Sequence, residues 1–420
     1  MASKKLPPPE STTTVLALTD DLLREVFLRL PSLPSLARAA FSCRAFIRAV
    51  RSSPAFRRNF LSLHPPPLLG VFLNHEGPTM PSFVPIRRAD RELAALIRGG
   101  DFFFTRLPDE DPSSPGWAIT DCRDGNLLLV SGDTGESAVY NPLVGDLDIT
   151  PLPPDELFEQ DALQLQGDHV SYYLDCCLLS SQDGGGGGGP RLFYTWHGPS
   201  RLRSAVFSCD TRQWQMFPSS EPVTPRFTDG IRRWPKVKGG TMVNGSVYWL
   251  HAHDAYMLVL NTATQAFTEM RVPELLEGRG DKYMLGETKD GELCIVCPIG
   301  FTLFVWVWRS ADDADAGGVE GWLFRESFDL DRIVEVTKGT LEEHRELNLV
   351  AIIDGVVYFC TCETFYDPLS PAYFLSLCME TGELEKLFQK KLELDMHPYV
   401  MAWPRALVHN NTVRPQVGGA

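Results

Sequence analysis

Between Leu16 and Phe60 the apolar positions recur with a helical period; beyond that stretch they gather in short, strand-length segments. Thr19 stands as an N-cap, with Asp20 and Asp21 at the positive end of a first helix. Leu22, Leu23, Val26, Phe27 and Leu30 form one broad apolar stripe along it. Pro31 stops that helix, and Pro34 opens a second within its first turn. Leu33, Leu36, Ala37, Ala40 and Phe41 make the next stripe, and Phe46, Ile47 and Val50 a third. Ser53-Pro54 is a further cap-and-proline start, leading to Phe56 and Phe60. A bundle of ~45 residues sits where a lone core is marginal, so another protein or a neighbouring domain is expected to cover one face.

The β-type pattern repeats. Each unit has an Asp-Gly or Asn-Gly turn, an apolar strand, a second strand, then a polar turn before another strand. Asp124-Gly125, Asn244-Gly245, Asp290-Gly291 and Asp354-Gly355 mark the units, and their glycines are 120, 46 and 64 residues apart. The first interval holds two units, and the last is one unit lengthened by a loop at Asp312–Gly318. A unit of roughly 45 to 50 residues is the size of a propeller blade. With an incomplete unit over residues 68–105 the count is about six, five to eight remaining open. Such blades cannot bury their faces alone, so they stack around an axis and close. A two-sheet β-sandwich is the other architecture for these strands, but it rarely runs so long. Arg91 to Arg98 fits a helical turn, and Phe102-Phe103-Phe104 reads as strand.

The expected organisation is a disordered segment over 1–14, a helical domain over 15–63, a propeller-like β domain over 64–410, and a disordered tail over 411–420. Met1 to Ser11 lacks the apolar core of a secretion signal, and no apolar run approaches the ~20 residues that cross a bilayer. Ten cysteines in such a chain read as reduced core thiols, so cytosol or nucleus is the expected compartment. The chain carries a net −15, yet Thr19 to Phe60 holds eight arginines against three acidic residues. A basic helical stretch on an acidic body argues against nucleic-acid binding by the large domain.

The ordered matches in the helical stretch resemble an F-box. Leu18-Thr19-Asp20-Asp21-Leu22-Leu23 stands where the family has Leu-Pro-x-Asp-Leu-Leu, and Val26-Phe27-Leu28-Arg29-Leu30 where Ile-Leu-x-x-Leu is common. Ser42-Cys43-Arg44-Ala45-Phe46 is similar to Val-Cys-Lys-x-Trp, and Ser53-Pro54-Ala55-Phe56 to Asp-Pro-x-Phe. Thr19, Ser42 and Phe46 depart from the pattern. The phrases Cys209-Asp210-Thr211 with Trp214, and Asn261-Thr262-Ala263-Thr264 with Phe267, resemble the propeller of many plant F-box proteins. That resemblance implies an adaptor and not an enzyme. Leu18, Leu22, Leu23, Val26, Phe27, Leu30, Leu36, Phe41, Cys43 and Phe46 would dock an acidic Skp-type adaptor. Through the adaptor the chain would join a cullin in an SCF ubiquitin ligase, the propeller holding a substrate protein. The alternative is a propeller scaffold that binds a protein or small ligand, its helices only capping the ring.

Residues with possible chemistry are few. Cys294 and Cys297 have zinc-knuckle spacing without a second ligand pair, and His251 and His253 lack a third ligand. Gly184–Gly189 precedes no helix start and reads as a hairpin tip. No nucleophile elbow, phosphate loop or metalloprotease helix is present, so neither a cofactor nor a metal is expected. Arg232, Arg233 and Trp234 are the candidates for a substrate-binding face, because Trp and Arg dominate interface hot spots.

Overall fold

The computed structural model describes residues 18–75, 79–86, 91–108, 116–154, 157, 173–179, 189–197, 202–217, 239–250, 255–280, 282–310, 320–364, 370–391, 395–404 and 407. The terminal segments expected to be disordered lie outside these residues. Two compact units form: Met1–Pro67 with Ala402–Ala420, and Leu68–Met401.

Among its described residues the first unit holds four helices, α1 (Asp20–Phe27), α2 (Leu33–Phe41), α3 (Arg44–Arg51) and α4 (Pro54–Leu63). Side-chain oxygens of Thr19, Ser32 and Ser53 cap α1, α2 and α4, accepting from Leu22 N, Ser35 N and Phe56 N at 3.4, 3.3 and 3.1 Å. α1 ends at Phe27, so Leu30 lies in the turn before Pro31 and not on the helical stripe. Leu23, Phe27, Leu33, Leu36, Ala40, Val50, Phe56 and Phe60 are buried. The β domain was expected to run through residue 410. Instead Trp403 belongs with the helices, its ring 6.0 Å from Phe60 and 6.5 Å from Phe56, beneath the Arg57 guanidinium at 5.7 Å. The apolar side of α4 is what draws it there.

The second unit is a six-bladed β-propeller. β1 (Leu68–Leu73) and β2 (Ser82–Pro85) come first, then a helix α5 (Arg91–Gly99). Five four-stranded blades follow. They are β3 (Trp117–Arg123) to β6 (Asp146–Thr150), with β4 (Asn126–Ser131) and β5 (Ser137–Asn141) between; β7 (Tyr173–Leu179), β8 (Arg191–His197), β9 (Leu202–Ser208) and β10 (Gln213–Met216); and β11 (Thr241–Val243), β12 (Ser246–Trp249), β13 (Tyr256–Asn261) and β14 (Ala266–Arg271). The last two are β15 (Met284–Glu287), β16 (Leu293–Ile299), β17 (Thr302–Arg309) and β18 (Gly321–Asp329); and β19 (Glu346–Ile353), β20 (Val356–Cys362), β21 (Pro371–Cys378) and β22 (Leu384–Lys391). The sixth blade is built from both ends of the unit: β23 (Met396–Val400) pairs with β1 on the side opposite β2.

The repeated phrases of the sequence are turn chemistry. Asp124-Gly125, Asn244-Gly245 and Asp354-Gly355 each put two consecutive residues at positive φ, as tight hairpins between right-twisted strands require. The third-to-fourth strand turns share another geometry. Gly145, Arg212, Gln265 and Gly382 are left-handed, each N–H donating to the carbonyl four residues back. Asn141 and Asn261 open two of these turns by accepting from the backbone N–H groups two and three residues on. Two residues past the left-handed position, Trp214, Phe267 and Leu384 pack against the apolar clusters between blades.

Those clusters draw on adjacent blades. Leu128 and Val139 meet Leu192 and Phe207; Phe193 and Val206 meet Val247 and Leu258; Met257 and Val259 meet Leu293 and Ile295. Val296 and Val305 meet Val357 and Leu375, and Val71 and Leu73 meet Cys360 and Phe374. At the closing junction Phe104 lies 5.5 Å from Phe72 and 5.7 Å from Tyr140, and the Tyr399 hydroxyl donates to Gly125 O at 2.9 Å. The Phe102–Phe104 stretch is therefore a turn and not a strand. Its in-out-in alternation is genuine, with Phe103 87% exposed, but the Asp101 carboxylate bends the chain by accepting from Phe103 N and Thr105 Oγ1.

The innermost strands of neighbouring blades, β23 in the sixth, lie side by side, tied by polar groups. Asp121 Oδ2 on β3 accepts from Leu178 N on β7 at 2.7 Å, and Asp175 Oδ2 on β7 accepts from Gly240 N at 2.8 Å and from the Trp249 indole. Burial raises the Asp175 carboxyl despite these donors.

Buried His344 and half-buried His397 give the ring an acid-sensitive contribution. His344 holds Thr361 Oγ1 at 2.7 Å through Nδ1 and Thr337 Oγ1 at 2.9 Å through Nε2, with Glu343, Tyr373 and Lys386 around it. Burial lowers both His344 and His397 below the ordinary value of 6.5. A base depressed in the folded state stays neutral there while the unfolded chain takes up a proton. The stability these two histidines contribute is therefore complete above pH 6.5 and falls below it, whereas the raised carboxyls of Asp175 and Asp354, which take up a proton in the folded state before they do in the unfolded chain, act in the opposite sense. The urea midpoint of the wild type, taken relative to that of His344→Gln, should drop between pH 7.5 and 5.5. A difference between the two that does not change with pH would contradict the account.

Candidate functional site

Helix geometry decides which apolar residues of the first unit are offered to solvent. Leu23 and Phe27, four apart, face the core and are nearly inaccessible. Arg24, about 100° round the helix on one side, donates to Ala49 O at 2.8 Å and Ser52 Oγ at 2.7 Å, tying α1 to α3. Asp20 reinforces that side by accepting from Arg48, which holds its carboxyl below the usual value. Leu22 and Val26 lie on the other flank of the core-facing line and are 52% and 45% exposed. Phe41, the last residue of α2, is 47% exposed.

The ten adaptor candidates thus divide. Leu22, Val26 and Phe41 are surface; Leu18, Leu30, Cys43 and Phe46 are half-buried; Leu23, Phe27 and Leu36 are interior. The interior three shape the surface from behind, and Phe46 meets Phe27 edge-on at 5.3 Å. A sequence stripe does not separate these roles, because one broad stripe contains both the buried line and its flank.

On the propeller, strand polarity defines two ends. One carries the Asp-Gly turns and the left-handed turns, knit by Asn244 Nδ2 donating to Gly291 O, Gly355 N donating to Glu287 O and the Lys289–Glu380 ion pair. Leu68 and Val400, paired, lie at this end. The other end carries the connections from blade to blade. Of the exposed large apolar side chains described on the ring, Leu152, Met216, Tyr256, Leu275, Ile299 and Leu341 sit at or beyond the strand ends on that connection end. Val144 and Phe103 sit at the turn end, and Leu323 and Phe324 on the outer strand β18. Contiguous or clustered apolar exposure is the mark of a protein-binding face. Sequence reading missed these residues because an apolar position at a strand end or in a connection does not show from its neighbours whether it faces the core or solvent. Arg232, Arg233 and Trp234, and also His251 and His253, lie outside the described residues.

The buried cysteines do not form a metal knot. Cys294 faces the cluster with the following blade and Cys297 the cluster with the preceding one, as residues three apart on a strand must. Burial pushes their thiols up to about 12 and about 11. Among the described residues, no group of three or more His, Cys, Asp or Glu side chains is placed to hold a metal ion. Among the described residues no helix is long and apolar enough to cross a membrane.

A family model described as "F-box protein AT5G49610-like, beta-propeller" matches residues 118–407. Comparison with curated proteins yields no match. Among solved structures, the N-terminal domain of Nup159 is similar at 10% identity and a TM-score of 0.32, over 77% of this chain and 66% of that one. A luciferin-regenerating enzyme is similar at 10% identity and 0.35, over 65% and 75%. A protein of unknown function from Desulfotomaculum acetoxidans reaches 12% and 0.36, over 70% and 77%. The family match alone carries weight.

Proposed function

The chain belongs to the F-box protein AT5G49610-like β-propeller family, and from that premise we propose that it is the substrate-recognition subunit of an SCF ubiquitin ligase. In this reading the helical unit docks a Skp-type adaptor, the adaptor joins a cullin, and the connection end of the propeller holds the substrate protein. The chain performs no chemistry itself. It raises the local concentration of a substrate lysine near the charged ubiquitin carrier, a contribution of proximity. The proposed setting is the cytosol or nucleus.

The observation that supports this most is the exposed flank of Leu22 and Val26 beside a well-filled core. An amphipathic helix that had only to cap its own chain would turn such residues inward. The scaffold alternative, with helices as a mere cap, leaves that flank without a purpose. Arginines exposed on the same unit, among them Arg29, Arg38, Arg44 and Arg58, would steer an acidic adaptor toward it.

The test is reconstitution. The purified full chain should co-elute with a purified Skp-type adaptor on size exclusion, and the pair should then recruit a cullin. A chain that elutes alone at about 10 μM of each protein, well above the Kd expected of a stable complex, would refute the reading.

A further inference from the structure

The helical unit is not built from one stretch of sequence. Its fourth helix is covered by a residue from late in the chain: Trp403 lies against Phe56 and Phe60. The route by which Trp403 arrives is equally specific. It follows Val400 by three residues, and Val400 is paired with Leu68, the first residue of β1. Phe60 precedes that same Leu68 by eight residues. Three residues span at most ~10 Å, so once β23 is paired with β1 the indole is held at high effective concentration near α4. Before that pairing the two are joined only through the whole propeller.

We propose that Trp403 is a positioning residue for the adaptor-docking unit, and that closure of the propeller by β23 is the event that delivers it. Docking competence is then a property of the finished ring: a chain with an open or truncated propeller presents an incomplete α4 and binds adaptor poorly. An unfinished receptor is thereby kept out of the ligase. The link between Trp403 and α4 stands on the contacts above; its consequence for adaptor binding rests on the function proposed for the helical unit.

The experiment uses the full chain, with hydrogen exchange and adaptor titration read side by side. Trp403→Ala should speed exchange of the α4 amides by about tenfold or more, leave the amides of β3 to β5 unchanged, and weaken adaptor binding by about tenfold. Trp403→Phe should restore most of both. Gly70→Val, on β1, would place a Cβ 2.5 Å from Val84 O, and should loosen β23 and α4 together. Tyr399→Phe, which removes only the bond to Gly125 O, is the milder version should Gly70→Val not fold. Unchanged α4 exchange in Trp403→Ala, or a protected α4 in a chain whose β23 amides exchange freely, overturns the proposal. Failure of the wild-type chain to bind adaptor defeats the ligase reading instead, and α4 exchange still decides the role of Trp403.

Discussion

Gly286→Ala is expected to lower the stability of the propeller by about 3 kcal/mol, at the upper end of what overpacking a filled core costs. Gly286 lies on β15, where the first strands of two blades approach each other. A Cβ there would stand 2.3 Å from Ile352 Cβ and 2.8 Å from Ile352 O on β19. Neither contact involves the free end of a side chain, so no rotamer change relieves it. The next residue confirms how close the backbones run, since Glu287 O accepts from Gly355 N at 3.1 Å. The only escape is to part the two blades, opening the cluster of Val296, Val305, Val357 and Leu375. Ile352→Ala should not rescue the variant, because it keeps the colliding atom. Gly321→Ala, where a Cβ meets nothing within 4 Å, should change stability by no more than about 0.5 kcal/mol. Urea denaturation of the full chain reads all three; equal midpoints for Gly286→Ala and wild type would show that the blades are not held this tightly.

Much of the ring was legible because its information is local. The Asp-Gly and Asn-Gly pairs announce positive φ, and Asn141 and Asn261 announce turns that bond to their own backbone. The apolar strand between two such signals then has one way to lie. The helical unit was legible for a similar reason, through Thr19, Pro34 and Ser53-Pro54 at its helix starts. What escaped is long-range. The pairing of β1 with β23 leaves no mark within either segment, and a short apolar run does not reveal which strand it joins. Trp403 looks like one more blade tryptophan until it is seen against Phe60. Phe102-Phe103-Phe104 carries the alternation of a strand, but the Asp101 carboxylate turns the chain by accepting from Phe103 N and Thr105 Oγ1, and the Tyr140 hydroxyl, 2.6 Å from that carboxylate, adds a tertiary bond no local pattern shows. The docking candidates fell between these cases: the stripe was read correctly as apolar, but its buried line and its exposed flank differ by a single helical step.

That single step sets the second large effect. The double variant Leu22→Asp/Val26→Asp is expected to abolish adaptor binding, with an affinity loss of about a thousandfold or more, equivalent to roughly 4 kcal/mol. Both side chains are exposed in the free chain, so the new carboxylates remain hydrated there and the fold should lose no more than about 1 kcal/mol. Docking would strip that water. Each carboxylate would enter an apolar contact without a partner, a cost of several kcal/mol per charge, and an acidic adaptor would repel both. The control is Leu23→Asp, one residue along and buried at 1% exposure. It should unfold the helical unit outright, visible as lost helical circular dichroism, whereas the double variant should keep the wild-type spectrum and melting curve. Phe41→Asp, exposed at the end of α2, should weaken binding without unfolding if that side chain shares the docking surface. A double variant that is folded and still binds the adaptor as tightly as wild type would show that the flank of α1 is not where the adaptor sits. The proposed ligase role would then lose its main structural support.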